Sequence, residues 1–165
     1  MLCRVFALAA FLAVVGLSAG PGSAREDLEE VEAFDILSEM REGKAVERHH
    51  VRIVGVLDLR ELDGPVRSPV SIVDCEIRDL VWMEGVTFDA PVSFQETAFE
   101  SMLLQSGVQF NGSADFSFAA FEDTVFFDGA IFGGEAEFCG TRFGRDAYFS
   151  GSIFSGTSDF NFTRF

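Results

Sequence analysis

The sequence predicts an all-β solenoid: short extended segments wound into coils of about 22 residues, preceded by a short N-terminal capping helix. Three observations predict it. Phe occurs 20 times in 165 residues, against one Trp and one Tyr. That balance marks rings used as buried filler, because Tyr and Trp serve where one end must stay polar. Large apolar residues recur from Ile72 to Phe165 with every gap 5 or 6, and four successive gaps return to the same kind of residue 22 positions on. Neither a helix, with its phase of about 3.6 residues, nor a meander of ~5–6-residue strands with separate turns has this period.

Residues 1–24 read as an export signal. Met1–Arg4 carries one positive charge, Val5–Leu17 is apolar, and Gly22-Ser23-Ala24 is a small-residue cleavage site. The apolar run is shorter than the ~20 residues a membrane span needs. An uncleaved segment that anchors the chain to a membrane is the alternative. Cys3 precedes the apolar run, so a lipoprotein anchor does not fit. Losing Arg4 with the signal leaves 11 basic and 27 acidic residues, a net of −16 against −15 for the whole chain.

Residues 25–67 form the predicted cap. Glu26–Glu42 places Leu28, Val31, Phe34, Leu37 and Met40 three apart on an otherwise acidic helix. Acids in its first turn suit the helix dipole, and Gly43 is its stop. A polar link through His49-His50 leads to Val51, Ile53, Leu57 and Leu59, which alternate as in strands. Adjacent histidines on an extended chain point to opposite faces and no Cys or His partner follows nearby, so the pair reads as a solvated loop rather than a metal site. Gly64-Pro65 and Ser68-Pro69 mark turns before the repeats.

Residues 68–165 are the repeat. Ile72, Phe94, Phe116, Phe138 and Phe160 form one column at intervals of 22. Ile77, Phe99, Phe121, Phe143 and Phe165 form a second, and Phe88, Phe110, Phe132 and Phe154 another. The fourth column, Trp82, Leu104, Phe127 and Phe149, steps by 22, 23 and 22, and its odd step falls at Phe126-Phe127, which leaves open which ring points inward. Two residues before each large residue stands a slimmer one, from Val70, Cys75 and Leu80 through Met102 to Thr163. On an extended segment that spacing shares a face. Gly112, Gly129, Gly134, Gly140, Gly151 and Gly156 follow large residues by two, where a corner gains from glycine's freedom. Cys75 takes a slim inward position and Cys139, after Phe138, faces out. About three coils, or roughly 14 Å, separate them, too far for a disulfide between the two.

Runs such as Ala136-Glu137-Phe138-Cys139-Gly140 and Ala147-Tyr148-Phe149-Ser150-Gly151 resemble the pentapeptide-repeat family, in its eleven-residue variant of alternating 5 and 6 spacing. The resemblance covers about Val70 to Phe165. It implies a right-handed, quadrilateral β-helix, with corners less regular than in pure five-residue repeats. Val54-Gly55-Val56-Leu57-Asp58-Leu59 is also similar to segments that precede the repeats in exported members. Coils stacked about 4.8 Å apart pair backbone groups above and below, and each buried Phe contributes roughly 1.5–3 kcal/mol. The ends of such a stack need cover. The helix and the Val51–Leu59 strands are the predicted N-terminal cap. Phe165 is itself an in-register repeat residue, so either the chain continues past it or a second subunit covers the last coil as a homodimer.

What projects outward decides any function. The residue before each large one faces solvent, and in the first column it reads Asp115, Glu137, Asp159; the second column ends in Arg142 and Arg164. A calcium ladder lacks its carbonyl ligands and its Gly/Asp repeats, so the acids read as a solvated face. Phe118 and Phe162 lie two coils apart with Gly140 between them, either as a partner contact or tucked into the corners. The candidate interaction surface is therefore Phe118, Phe162, Asp115, Glu137 and Asp159. No catalytic, metal or cofactor residue is assigned. The acidic balance argues against nucleic-acid phosphates, which require a basic footprint. No histidine follows His50, and neither a phosphate loop nor zinc spacing occurs. These features point to an exported, extracytoplasmic (periplasmic or secreted) non-catalytic scaffold for a protein partner. The resemblance leaves two alternatives: a cytoplasmic DNA mimic that binds gyrase, as some members do, or the soluble portion of a longer membrane protein.

Overall fold

The computed structural model describes Leu28–Phe165; the export signal expected over residues 1–24 lies outside the described residues. The chain winds through about six coils of ~22 residues. Their strands, of two or four residues in the first coils and two thereafter, stack into four parallel sheets of 6, 5, 4 and 6 strands. We name each face by its first inward residue. On the Ile77 face, Phe99 pairs with Ile77 and with Phe121, and Phe121 with Phe143. On the Ile72 face, Ala114 pairs with Ala136 and Ala136 with Ser158. Within the repeats every partner is 22 residues away, because only that register lays like residue on like, whereas the initial coil pairs with the first repeat coil at 24.

The core shows why Phe was used. Phe94, Phe116, Phe138 and Phe160 stack at 5.5, 5.2 and 4.8 Å. Neighbouring columns meet edge to face, as in Phe110–Phe116 at 82° and Phe127–Phe138 at 88°. Ring faces and edges are both occupied, in the geometries their quadrupoles favour, so a phenolic hydroxyl would find no partner. Polar slim residues are satisfied by one recurring bond. The hydroxyls of Thr97, Thr141, Ser152 and Thr163 donate to Ile72, Phe116, Phe127 and Phe138 carbonyls, 25 residues earlier, at 2.7–2.8 Å.

The fourth column differs from its expectation. Met83, Gln105, Phe127 and Phe149 point inward, and Met83, Gln105 and Phe127 are fully buried. Trp82, Leu104, Phe126 and Tyr148 form the outward row of the same sheet. The slim partners are accordingly Val81 and Leu103, both buried, and not Leu80 and Met102. Strict register decided this against side-chain size. Choosing the bulkiest residue at 82 and 104 forced the 23-residue step; with Met83 and Gln105 the column steps by 22 throughout. Gaps then alternate 5 and 6 without exception. Each five-residue gap from Met83 onward closes in a tight turn. Thr97, Val108 and Ala130 N–H groups donate to Phe94, Gln105 and Phe127 carbonyls at 3.2, 3.1 and 2.9 Å. The residue before each donor has positive φ, the pattern of a type II turn.

The glycines divide into two classes. Gly85, Gly107, Gly129 and Gly151 hold the positive-φ position of one tight edge, at 65–70°. Gly112, Gly134 and Gly156 do not have positive φ. They sit on a wide corner where coils approach closely: a Cβ on Gly134 would stand 2.5 Å from the Gly112 carbonyl oxygen.

The cap also departs from its reading. β1 (Glu29–Glu32) pairs in parallel with β3 (Val51–Val54), so the helix expected from Glu26 is shortened to α1 (Ala33–Arg41). Pairing with β3 claims the first residues for a strand and rotates the helix. Ala33, Ile36 and Leu37 are buried with Met40 against the core, whereas Phe34, placed in the stripe, is 66% exposed. Gly43 stops the helix as expected. Its N–H donates to the Met40 carbonyl and that of Lys44 to Glu39, the Schellman arrangement. The polar link is itself β2 (Val46–His49), paired with β5 (Val70–Val73). β4 (Leu57–Asp58) is followed by a 3-10 turn over Leu59–Glu61, so Leu59 is buried but not in a strand. Thus β2, β3 and β4 form an initial coil on which the repeats stack, and α1 contacts β1, β2 and β4 at its open end. Cys75 is buried and free, so it is not bridged to Cys139. Cys139 is buried rather than outward.

Candidate interaction surface

Two tight edges run along the solenoid on opposite corners. Both repeat the same turn with the same positive φ. On one edge all four such positions are Gly85, Gly107, Gly129 and Gly151. On the other, between the Ile72 and Ile77 faces, they are His50, Asp74, Glu96, Phe118, Gly140 and Phe162, with φ of 52–69°. A left-handed conformation costs an L-residue roughly 1–2 kcal/mol, and glycine is its default occupant. This second edge carries side chains at positions where bare glycine suffices elsewhere.

The sequence-derived residues come together there. Asp115, Glu137 and Asp159 lie directly opposite one another on adjacent outward strands of the Ile72 face. Phe118 and Phe162 follow on the adjoining edge, 49% and 80% exposed. The Phe118 ring lies on Gly140, since a Cβ there would stand 2.6 Å from two ring carbons. Phe118 leans over the next corner yet stays half exposed, and Phe162 is open. Asp115-Phe116-Ser117-Phe118 and Asp159-Phe160-Asn161-Phe162 place the same pattern two coils apart.

The acids are not equivalent. Asp115 accepts from the Ser117 N–H at 2.9 Å and Asp159 from the Asn161 N–H at 2.8 Å, so each steadies the turn that presents its Phe. Glu137 stands between the two. Burial pushes its carboxyl up to about 7, reinforced by a hydrogen bond with Glu135 and by the charges of Glu135, Asp159 and Asp115. His50 Nδ1 meets Asp74 Oδ2 at 2.8 Å farther up the same edge. On the adjoining face Arg142 is paired with Glu122.

An outward row that the sequence reading missed lies on the Met83 face. Trp82, Leu104 and Phe126 are half exposed and Tyr148 is 44% exposed. Phe126 and Tyr148 stack at 5.1 Å and 8°. The Arg60 guanidinium, held by Asp58, covers the Trp82 ring at 3.2 Å. Phe126 and Tyr148 thus cover one face of each other, and Arg60 covers a face of Trp82. Counting back by 22 from Phe149 would have revealed the row.

Two hollows flank the Leu62–Pro65 loop of the cap. One of about 390 Å³ is lined by Met40, Arg41, Lys44 and Arg67 among others, and one of about 270 Å³ by Arg60, Glu84 and Thr87 among others. Arg41 is bonded to Glu61 and Lys44 to Glu42, which neutralises most of the basic charge. Among the described residues no group of three or more His, Cys, Asp or Glu is arranged to hold a metal ion. No helix among them is long and apolar enough to cross a membrane.

Four parallel ladders closed around stacked rings, with a tight turn at every second corner, define a quadrilateral β-solenoid of repeat type. A family model described as Pentapeptide repeats (9 copies) matches residues 106–153. The chain is a pentapeptide-repeat protein, and its columns continue in the same register on both sides of the matched stretch. The comparisons with curated proteins and with solved structures returned no match.

Proposed function

We propose that this pentapeptide-repeat solenoid is an exported, non-catalytic interaction or structural scaffold that works through its outward rows. The observation that carries the reading is the edge bearing Phe118 and Phe162, where exposed rings stand beside an acidic row on coils paired in parallel. Rigid presentation of aromatic anchors at little entropic cost is what a binding surface requires. The apolar run and small-residue site within residues 1–24 support export.

Expressing the tagged full chain in its host, fractionating the cells and capturing partners from the extracytoplasmic fraction tests this. A mature form lacking residues 1–24, recovered outside the cytoplasm with a stoichiometric protein partner, is the expected result. Recovery from the cytoplasm with the N-terminal segment intact overturns the exported reading.

A further inference from the structure

Resting on that scaffold reading, we propose that the Phe118–Phe162 edge is a docking strip for a proline-rich segment carrying arginine or lysine, bound in the polyproline II conformation. The spacing argues for the conformation. Positions 118 and 162 are two coils apart, which places their α-carbons about 9.6 Å from each other at ~4.8 Å per coil. A polyproline II helix returns to the same face every three residues, about 9.3 Å at ~3.1 Å per residue. Every third residue of such a segment therefore comes level with one of the two corners that bear the rings. An ordinary β-strand repeats its face at about 6.6 Å and falls out of step. Exposed aromatic side chains are the usual platform for proline-rich segments, which arrive with little conformational entropy left to lose.

Charge argues for the basic residues. Asp115, Glu137 and Asp159 run along one side of the strip, and Asp74 and Glu96 stand on the strip itself, between Phe118 and the cap. On the other side Arg142 is held by Glu122, and Arg164 follows it on the same face. A second copy of this chain is a poor occupant, because it brings a net charge of −15 against −15. A segment with a basic residue between its apolar ones meets the acidic row and the rings together.

The test uses the purified full chain and three synthetic peptides: Pro-Leu-Arg repeated four times, the same peptide with Glu for Arg, and an arginine tetramer in a Gly/Ser background. Dissociation constants come from fluorescence anisotropy. The variant is F118G/F162G, which gives both corners the residue that Gly140 already has and so keeps the turn. Its melting temperature is measured alongside.

The Pro-Leu-Arg peptide should bind at least tenfold more tightly than either control. F118G/F162G should lose at least tenfold in that affinity while melting no lower than the parent. Equal binding of the arginine control, or an unchanged affinity in F118G/F162G, overturns the docking strip. If the variant also keeps its captured partner, the scaffold reading stands and the strip alone falls. If neither the peptide nor any partner binds the parent chain, both fall.

Discussion

Gln105 is the one polar side chain placed in an inward large position of the repeat columns. It lies between Met83 and Phe127, is fully buried, and neither its Oε1 nor its Nε2 has a hydrogen-bond partner. Leaving a buried polar group unsatisfied costs ~1–3 kcal/mol. Gln105→Met removes both orphan atoms, keeps the length and near-volume of the side chain, and copies the residue one coil above. Volume-conserving core exchanges cost less than about 1.5 kcal/mol. The variant should therefore be more stable by about 1–2 kcal/mol. At roughly 2–4 °C per kcal/mol for a chain of this size, its melting temperature should rise by about 2–8 °C. Thermal melts followed by circular dichroism, with urea midpoints at constant m, measure it. Gln105→Glu sets the opposite limit, since it puts a carboxyl where nothing neutralises it, and it should lower the midpoint. A Gln105→Met protein melting at or below the parent temperature refutes the reasoning, because the amide must then be satisfied in solution.

Gly134→Ala should destabilise by more than ~2 kcal/mol because its Cβ meets the Gly112 carbonyl. Gly107→Ala, open in space but at φ 68°, should cost only about 1–2 kcal/mol; similar losses in the two denaturation curves would count against two classes of glycine. The raised carboxyl of Glu137 favours its neutral form in the fold, so that stability is whole below its ordinary value of 4.5 and is lost as pH rises through about 7. Glu137→Gln should therefore melt higher than the parent at pH 8 and alike near pH 4.5; a constant difference across that window contradicts the shift. Arg60→Ala should uncover the single Trp, Trp82, and move its emission to the red, whereas an unmoved spectrum means that the guanidinium does not shield the ring.

The candidate surface was legible to the same degree as the columns. Asp115, Glu137 and Asp159 could be placed on one row because the 22-residue register makes sequence distance equal to stacking position. The row of Trp82, Leu104, Phe126 and Tyr148 was not legible, because the bulkier residue was taken to be the inward one. Cys139 shows the limit of alternation as a guide, since it follows the inward Phe138 and is nevertheless buried. In the cap no repeat exists to count from, so helix phase and strand pairing competed for residues 29–32, and the partner strand 22 residues on decided between them.

By itself the sequence determined that this protein is a solenoid of 22-residue coils filled with Phe. A period repeated many times constrains the register more tightly than any single residue can disturb it. Only the tertiary structure decided which of two adjacent residues turns inward, which glycines answer to φ and which to a neighbouring carbonyl, and which rings stay open to solvent. Those outcomes depend on atoms one coil away, about 4.8 Å in space but 22 residues along the chain.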